Sequence, residues 1–114
     1  MSDLVDWVVA LDSVGGDADL LREVVDAFLA EAPRQLLAAE TAIRNSDHVA
    51  MRRAAHTLKG NARYFGAREV FDLAFELEVL GEKQQFDRAQ EIRAKLSEAM
   101  ARLTPVLLDY VGRK

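Results

Sequence analysis

The chain contains two histidines, His48 and His56, and no cysteine. Imidazole is therefore its one side chain whose ordinary titration falls near neutral pH. His56 sits in the run His56-Thr57-Leu58-Lys59-Gly60-Asn61-Ala62-Arg63. On a helix at about 100° per residue, Arg52, Lys59 and Arg63 fall within about 60° of His56 on one side and Gly60 within about 40° on the other. The apolar Met51, Ala55, Leu58 and Ala62 point the opposite way. His56 is thus expected to face solvent in mid-helix, beside three cations and one residue without a side chain. A neutral ring nitrogen can attack a phosphoryl group without first losing a proton. Such a transfer chiefly needs in-line placement and positive charge for the equatorial oxygens. Lys59, one turn on, can supply that charge, with Arg52 and Arg63 adding attraction at longer range. Glycine inside a helix costs about 1 kcal/mol relative to alanine, and close approach of another molecule is a reason to accept that cost at Gly60.

The charge distribution points to the same stretch. Residues 1–46 hold nine acids and three bases, and residues 69–114 hold nine acids and seven bases. Residues 47–68 reverse the balance, with Arg52, Arg53, Lys59, Arg63 and Arg68 against Asp47 alone. A net charge of −4 speaks against non-specific nucleic-acid binding. His48, eight residues before His56, reads as an exposed residue at a helix start. No HExxH, paired ExxH or other ligand spacing occurs, so no bound metal is expected. There is no glycine-rich nucleotide loop, and the chain has no room for an ATP-binding kinase domain. The start Met1-Ser2-Asp3 lacks a basic leader, and no apolar run approaches the roughly 20 residues of a membrane span. Together with the missing cysteines, this gives the expectation of a cytoplasmic protein, neither secreted nor membrane-embedded.

The elements that must carry these residues are helical, because apolar positions recur at three and four rather than two. A short first helix is predicted from about Asp3 to Leu11, with Leu4, Trp7, Val8 and Leu11 on its apolar side. Asp17 caps a second, striped by Leu21, Val25, Phe28, Ala32, Leu36, Ala39 and Ile43, in which Pro33 predicts a kink or a break. Asn45-Ser46-Asp47 ends that helix and caps a third, which carries His56 and ends near Gly66. A fourth runs from about Ala67 to Leu80 with Val70, Leu73, Ala74, Leu77 and Leu80, and Gly81 reads as its C′ residue. A fifth starts near Phe86 and carries Ala89, Ile92, Leu96, Ala99, Leu103, Leu107 and Tyr110, with Pro105 expected to distort its last turns. Phe71 and Phe75 are read as packing residues, and Trp7 as a lid on one end. The fold class is all-α: one domain over 1–114, an antiparallel up-and-down four-helix bundle with a short extra N-terminal helix.

The run from His56 to Gly66 resembles the histidine phosphotransfer (HPt) signature H-x-L-K-G-x-A-x-x-x-G. Ala54-Ala55 before it and Ala67 after it fit too, as do Val14-Gly15-Gly16-Asp17, Phe28 with Ala32-Pro33, and Leu77-Glu78. The resemblance thus spans nearly the whole chain, with Asn61 the one departure, where a smaller residue is common. It implies that His56 is phosphorylated on Nε2, that Lys59 steadies the phosphoryl group, and that Gly60 leaves room for the partner. It also implies that Glu78, twenty-two positions after His56, accepts a hydrogen bond from its Nδ1. The implied function is a phosphorelay intermediate in two-component signalling, a phosphoryl carrier without kinase activity of its own and without a cofactor. Its partners would be receiver domains and a sensor or hybrid histidine kinase, with Mg²⁺ on the receiver, and the carrier itself a monomer. Arg52 and Arg63 are candidate partner-binding residues. A non-phosphorylated HPt-like adaptor that binds receivers is the alternative, and an unrelated structural bundle a third reading.

Overall fold

The computed structural model describes residues 4–112, so the helix start expected at Asp3 and the reading of Met1-Ser2-Asp3 lie outside the described residues. Five helices follow in order: α1 (Trp7–Asp12), α2 (Ala18–Arg44), α3 (His48–Tyr64), α4 (Arg68–Glu82) and α5 (Phe86–Tyr110), with no strand among the described residues. The links 45–47, 65–67 and 83–85 are too short for anything but antiparallel neighbours. Each long helix packs on the next in sequence, and α5 returns to α2 to close the ring. No described helix is long and apolar enough to cross a membrane.

The stripes read from the sequence are the buried ones. Leu21, Val25, Phe28, Ala32, Ala39 and Ile43 of α2 line the core with Met51, Ala55, Leu58 and Ala62 of α3, and Leu77, Leu96, Leu103 and Leu107 join them. Burial fixes the rotation of α3. Turning His56 inward would expose Met51 and Leu58, each worth about 1.5–3 kcal/mol when buried. Asp17 caps α2 by accepting from the Asp19 and Leu20 amides, and Asp47 caps α3 by accepting from the Ala50 amide. Pro33 does not break α2, which runs unbroken through it with Pro33 on its exposed side. Pro105 likewise lies inside a continuous α5.

The structure departs from the expectation in two elements. The first helix begins at Trp7, capped by Asp6, and buries Ala10. Val8 is 80% exposed and Leu11 is also exposed, so of the apolar side expected for this helix only Leu4 and Trp7 pack against the core. Two turns of helix carry too few apolar positions to set a phase. The second departure is Gly81, which lies inside α4 rather than after it. The left-handed residue that follows this helix is Gln84, at φ 57°. Gly81 instead marks close contact with α3: a Cβ there would fall 2.8 Å from Arg52 Cγ and 3.4 Å from the Arg52 amide nitrogen. Glycine is used here for approach, and the α3–α4 pair is drawn together just where His56 and Glu78 must meet.

At one end Trp7 stacks on Tyr110 with ring centroids 4.5 Å apart, so the expected lid is present. Beside it, Gly66 takes φ +57° and the Asp6 amide donates to the Phe65 carbonyl at 2.9 Å, fastening α1 to the end of α3.

Candidate functional site

His56 lies midway along α3 with its side chain 68% exposed, on the face opposite Leu58 and Ala62. Its Nδ1 lies 2.8 Å from Glu78 Oε2, across the α3–α4 seam. An ionised carboxylate can only accept, so in the neutral ring Nδ1 carries the proton and Nε2 keeps its lone pair. Glu78 holds a second partner. Its Oε1 is shielded from solvent and meets Lys59 Nζ at 2.6 Å, an ion pair rather than a well-directed hydrogen bond. One carboxylate thus ties an imidazole and an ammonium into a single unit, with the lysine side chain only 18% exposed.

Burial acts to raise the Glu78 carboxyl, but Lys59 and His56 outweigh it and hold the group below its ordinary value of 4.5. A depressed carboxyl pKa adds stability that is fully present above the unfolded value and lost as pH falls through the folded one. The stability gap between the protein and Glu78→Gln is therefore expected to be present at pH 5 and to shrink as pH drops below 4.5. Urea unfolding at a series of pH values measures it, and a gap that does not change down to pH 3 contradicts the ion-pair assignment.

The other sequence-predicted residues are placed as follows. Gly60 faces open space, where a Cβ would meet nothing within 4 Å, so no packing within the chain demands a glycine there. Arg63 does not reach His56; its guanidinium lies 5.6 Å from the Phe71 ring centroid on α4. Arg52 packs its stem against Gly81, and among the described residues no hydrogen bond or ion pair joins either arginine to His56 or Glu78. Of the three expected cations, one is drawn into the site.

Sequence reasoning missed Phe75. It is not a core residue: it is 49% exposed, and Lys59 Nζ sits 5.0 Å from its ring centroid. The available signal was its place one turn before Glu78 on α4. On the other flank of α3, Asn61 and Tyr64 line a groove with Val24, Phe28 and Glu31 of α2. No group of three or more metal-ligating side chains occurs among the described residues.

The family model for the Hpt domain matches residues 23–104, which include all of α3 and α4. The chain belongs to the Hpt domain family. Solved structures share the fold of this Hpt domain. Histidine-containing phosphotransfer protein B (HptB) from Pseudomonas aeruginosa PAO1 is 20% identical, with a TM-score of 0.90 over 100% of this chain and 99% of that one. The HPT domain from a sensor hybrid histidine kinase of Shewanella is 21% identical, with a TM-score of 0.72 over 93% of this chain and 95% of that one. No curated protein matches the chain significantly in sequence. Membership of the Hpt family carries a phosphotransfer role in two-component signalling, whose phosphorelays join receiver domains and histidine kinases.

Proposed function

We propose that His56 of this Hpt domain is a relay nucleophile. It takes a phosphoryl group on Nε2 from a receiver phospho-aspartate or a histidine kinase and passes it to a receiver aspartate. The observation that carries this reading is the solvent-facing ring whose Nδ1 is occupied by Glu78. With a receiver phospho-aspartate as donor, the aspartyl O–P bond breaks as the His56 N–P bond forms. With a kinase phosphohistidine, the donor's own N–P bond breaks instead. Delivery to a receiver aspartate breaks the His56 N–P bond as the aspartyl O–P bond forms. The ring keeps its Nδ1 proton and becomes cationic beside the Glu78 carboxylate. Lys59 offers positive charge to the phosphoryl oxygens. Mg²⁺ and the acidic pocket belong to the receiver, and this domain is a carrier rather than a kinase.

Incubation with a receiver bearing labelled phospho-aspartate tests the proposal. Label that transfers to this chain, survives alkali and is lost in acid supports it. Binding of the receiver with no transferred label would mean an adaptor instead. Replacing Glu78 by leucine removes the acceptor for Nδ1 and is expected to slow transfer about 10–100-fold, as losses of ring-orienting partners do. An unchanged single-turnover rate would remove Glu78 from the mechanism.

Gly60 gives a prediction of opposite sign for fold and function. Since a methyl group finds open space there, Gly60→Ala is expected to raise stability by about 1 kcal/mol through helix propensity. Transfer from a receiver should nevertheless slow, because the added carbon occupies the partner's approach. Calorimetry and transfer kinetics read the two effects, and unimpaired transfer in a stabilised variant would remove the steric role.

A further inference from the structure

Phe75 is a large apolar side chain, 49% exposed, on a face of α4 that covers no core. Scattered exposed hydrophobics need no explanation in general. This one differs because a charge lies against its ring: the Lys59 ammonium is 5.0 Å from the centroid while also paired to Glu78 Oε1 at 2.6 Å. A lysine on a helix surface ordinarily explores many rotamers with its ammonium in water. Here the ring and the carboxylate leave the side chain 18% exposed, beside the imidazole that shares the same carboxylate. Phe71 continues the aromatic row, its centroid 6.4 Å from that of Phe75, and holds Arg63 in the same manner.

We infer that Phe75 is a positioning residue for phosphoryl transfer: its exposed ring, with Glu78, fixes the Lys59 ammonium next to His56. The inference rests on the phosphotransfer reading above. Glu78 alone would pair with the ammonium from many directions. The ring face removes part of that freedom, so less order has to be imposed when the phosphoryl oxygens arrive. An exposed contact of this kind corresponds to roughly two- to fivefold in the population of the docked ammonium.

The test uses phosphoramidate, a small donor that needs no partner protein. As His56 Nε2 forms its bond to phosphorus, the P–N bond of phosphoramidate breaks and ammonia leaves. The ring is left cationic with its Nδ1 proton beside Glu78. Phe75→Leu, which keeps apolar bulk and loses the π face, is expected to slow labelling roughly two- to fivefold. It should also shift the Lys59 ε-methylene proton resonances downfield, out of the shielding cone of the ring. Phe75→Trp should restore both the rate and the upfield position. In a Lys59→Met background, Phe75→Leu should have no further effect on the rate, because the two residues act as one unit. An equal loss with and without Lys59, or an unchanged rate in Phe75→Leu, overturns the assignment of Phe75 alone. A wild-type protein that takes no label on His56 overturns the phosphotransfer reading and this inference with it.

Discussion

His56→Gln is expected to abolish phosphoryl labelling completely and to leave the bundle standing. The chain offers a built-in comparison, because its one other histidine, His48, opens α3 two turns earlier. His48→Gln should label like the wild type. Glutamine is a sparing replacement at 56, since the ring is 68% exposed and its side chain pairs with Glu78 Oε2. The amide can donate to that same oxygen, so no buried acceptor is orphaned. A surface change of this kind is worth within about 0.5 kcal/mol of stability. Loss of label with an unchanged melting curve therefore reads as loss of the nucleophile. Residual acid-labile label in His56→Gln would move the chemistry to another residue, and label lost in His48→Gln would do the same.

Gly66→Ala should bring the largest loss of stability among single methyl additions to the glycines at positive φ. The position takes φ +57°, and a Cβ would fall 2.6 Å from Asp6 Cβ and 3.4 Å from the Asp6 nitrogen. A side chain in this left-handed region costs about 1–2 kcal/mol. The overlap adds about 1–3 kcal/mol, because the atoms it meets belong to backbone and a short side chain rather than to a long flexible one. Asp6 cannot simply retreat. Its amide donates to the Phe65 carbonyl, and its carboxylate caps α1 through the Val8 and Val9 amides. Against a total of about 5–15 kcal/mol this is a large fraction, visible as a fall of about 10–25 °C in melting temperature. Gly15→Ala is the control, since Gly15 has φ +66° and open space around it. It should lose only the backbone part. Equal losses at the two positions would show that the contact with Asp6 contributes nothing.

The helices with three or more turns were legible because each repeats its stripe often enough to fix a phase. Leu21 to Ile43 and Ala89 to Leu107 show this, and Asp17 and Asp47 mark the starts of α2 and α3 as capping chemistry requires. His56 was placed correctly on the outer face by the same logic, since Met51 and Leu58 are fully buried. Glu78 came from a resemblance rather than from spacing, and its geometry agrees. What pattern could not supply was anything set by the separation of two helices. Gly81 reads as a terminator in one dimension, yet it serves the approach of α4 to Arg52. Phe75 was read as a packing residue although it falls opposite the stripe of Val70, Leu73, Ala74, Leu77 and Leu80, and its partner, Lys59, comes from another helix. The local excess of positive charge was also read without knowing that Glu78 would cross the seam and neutralise part of it.

The stacking of Trp7 on Tyr110 has a practical consequence. Trp7 is the one tryptophan in the chain, and its ring lies against the last turn of α5. Its emission spectrum therefore registers whether the two chain ends are clasped. His56 lies nine residues before Phe65, where α1 docks, or about 13 Å along the helix axis. Ultraviolet fluorescence is thus an intrinsic gauge of that clasp, read at a distance from the imidazole, so a variant with native emission and no phosphate has kept the docking of α1 on α5.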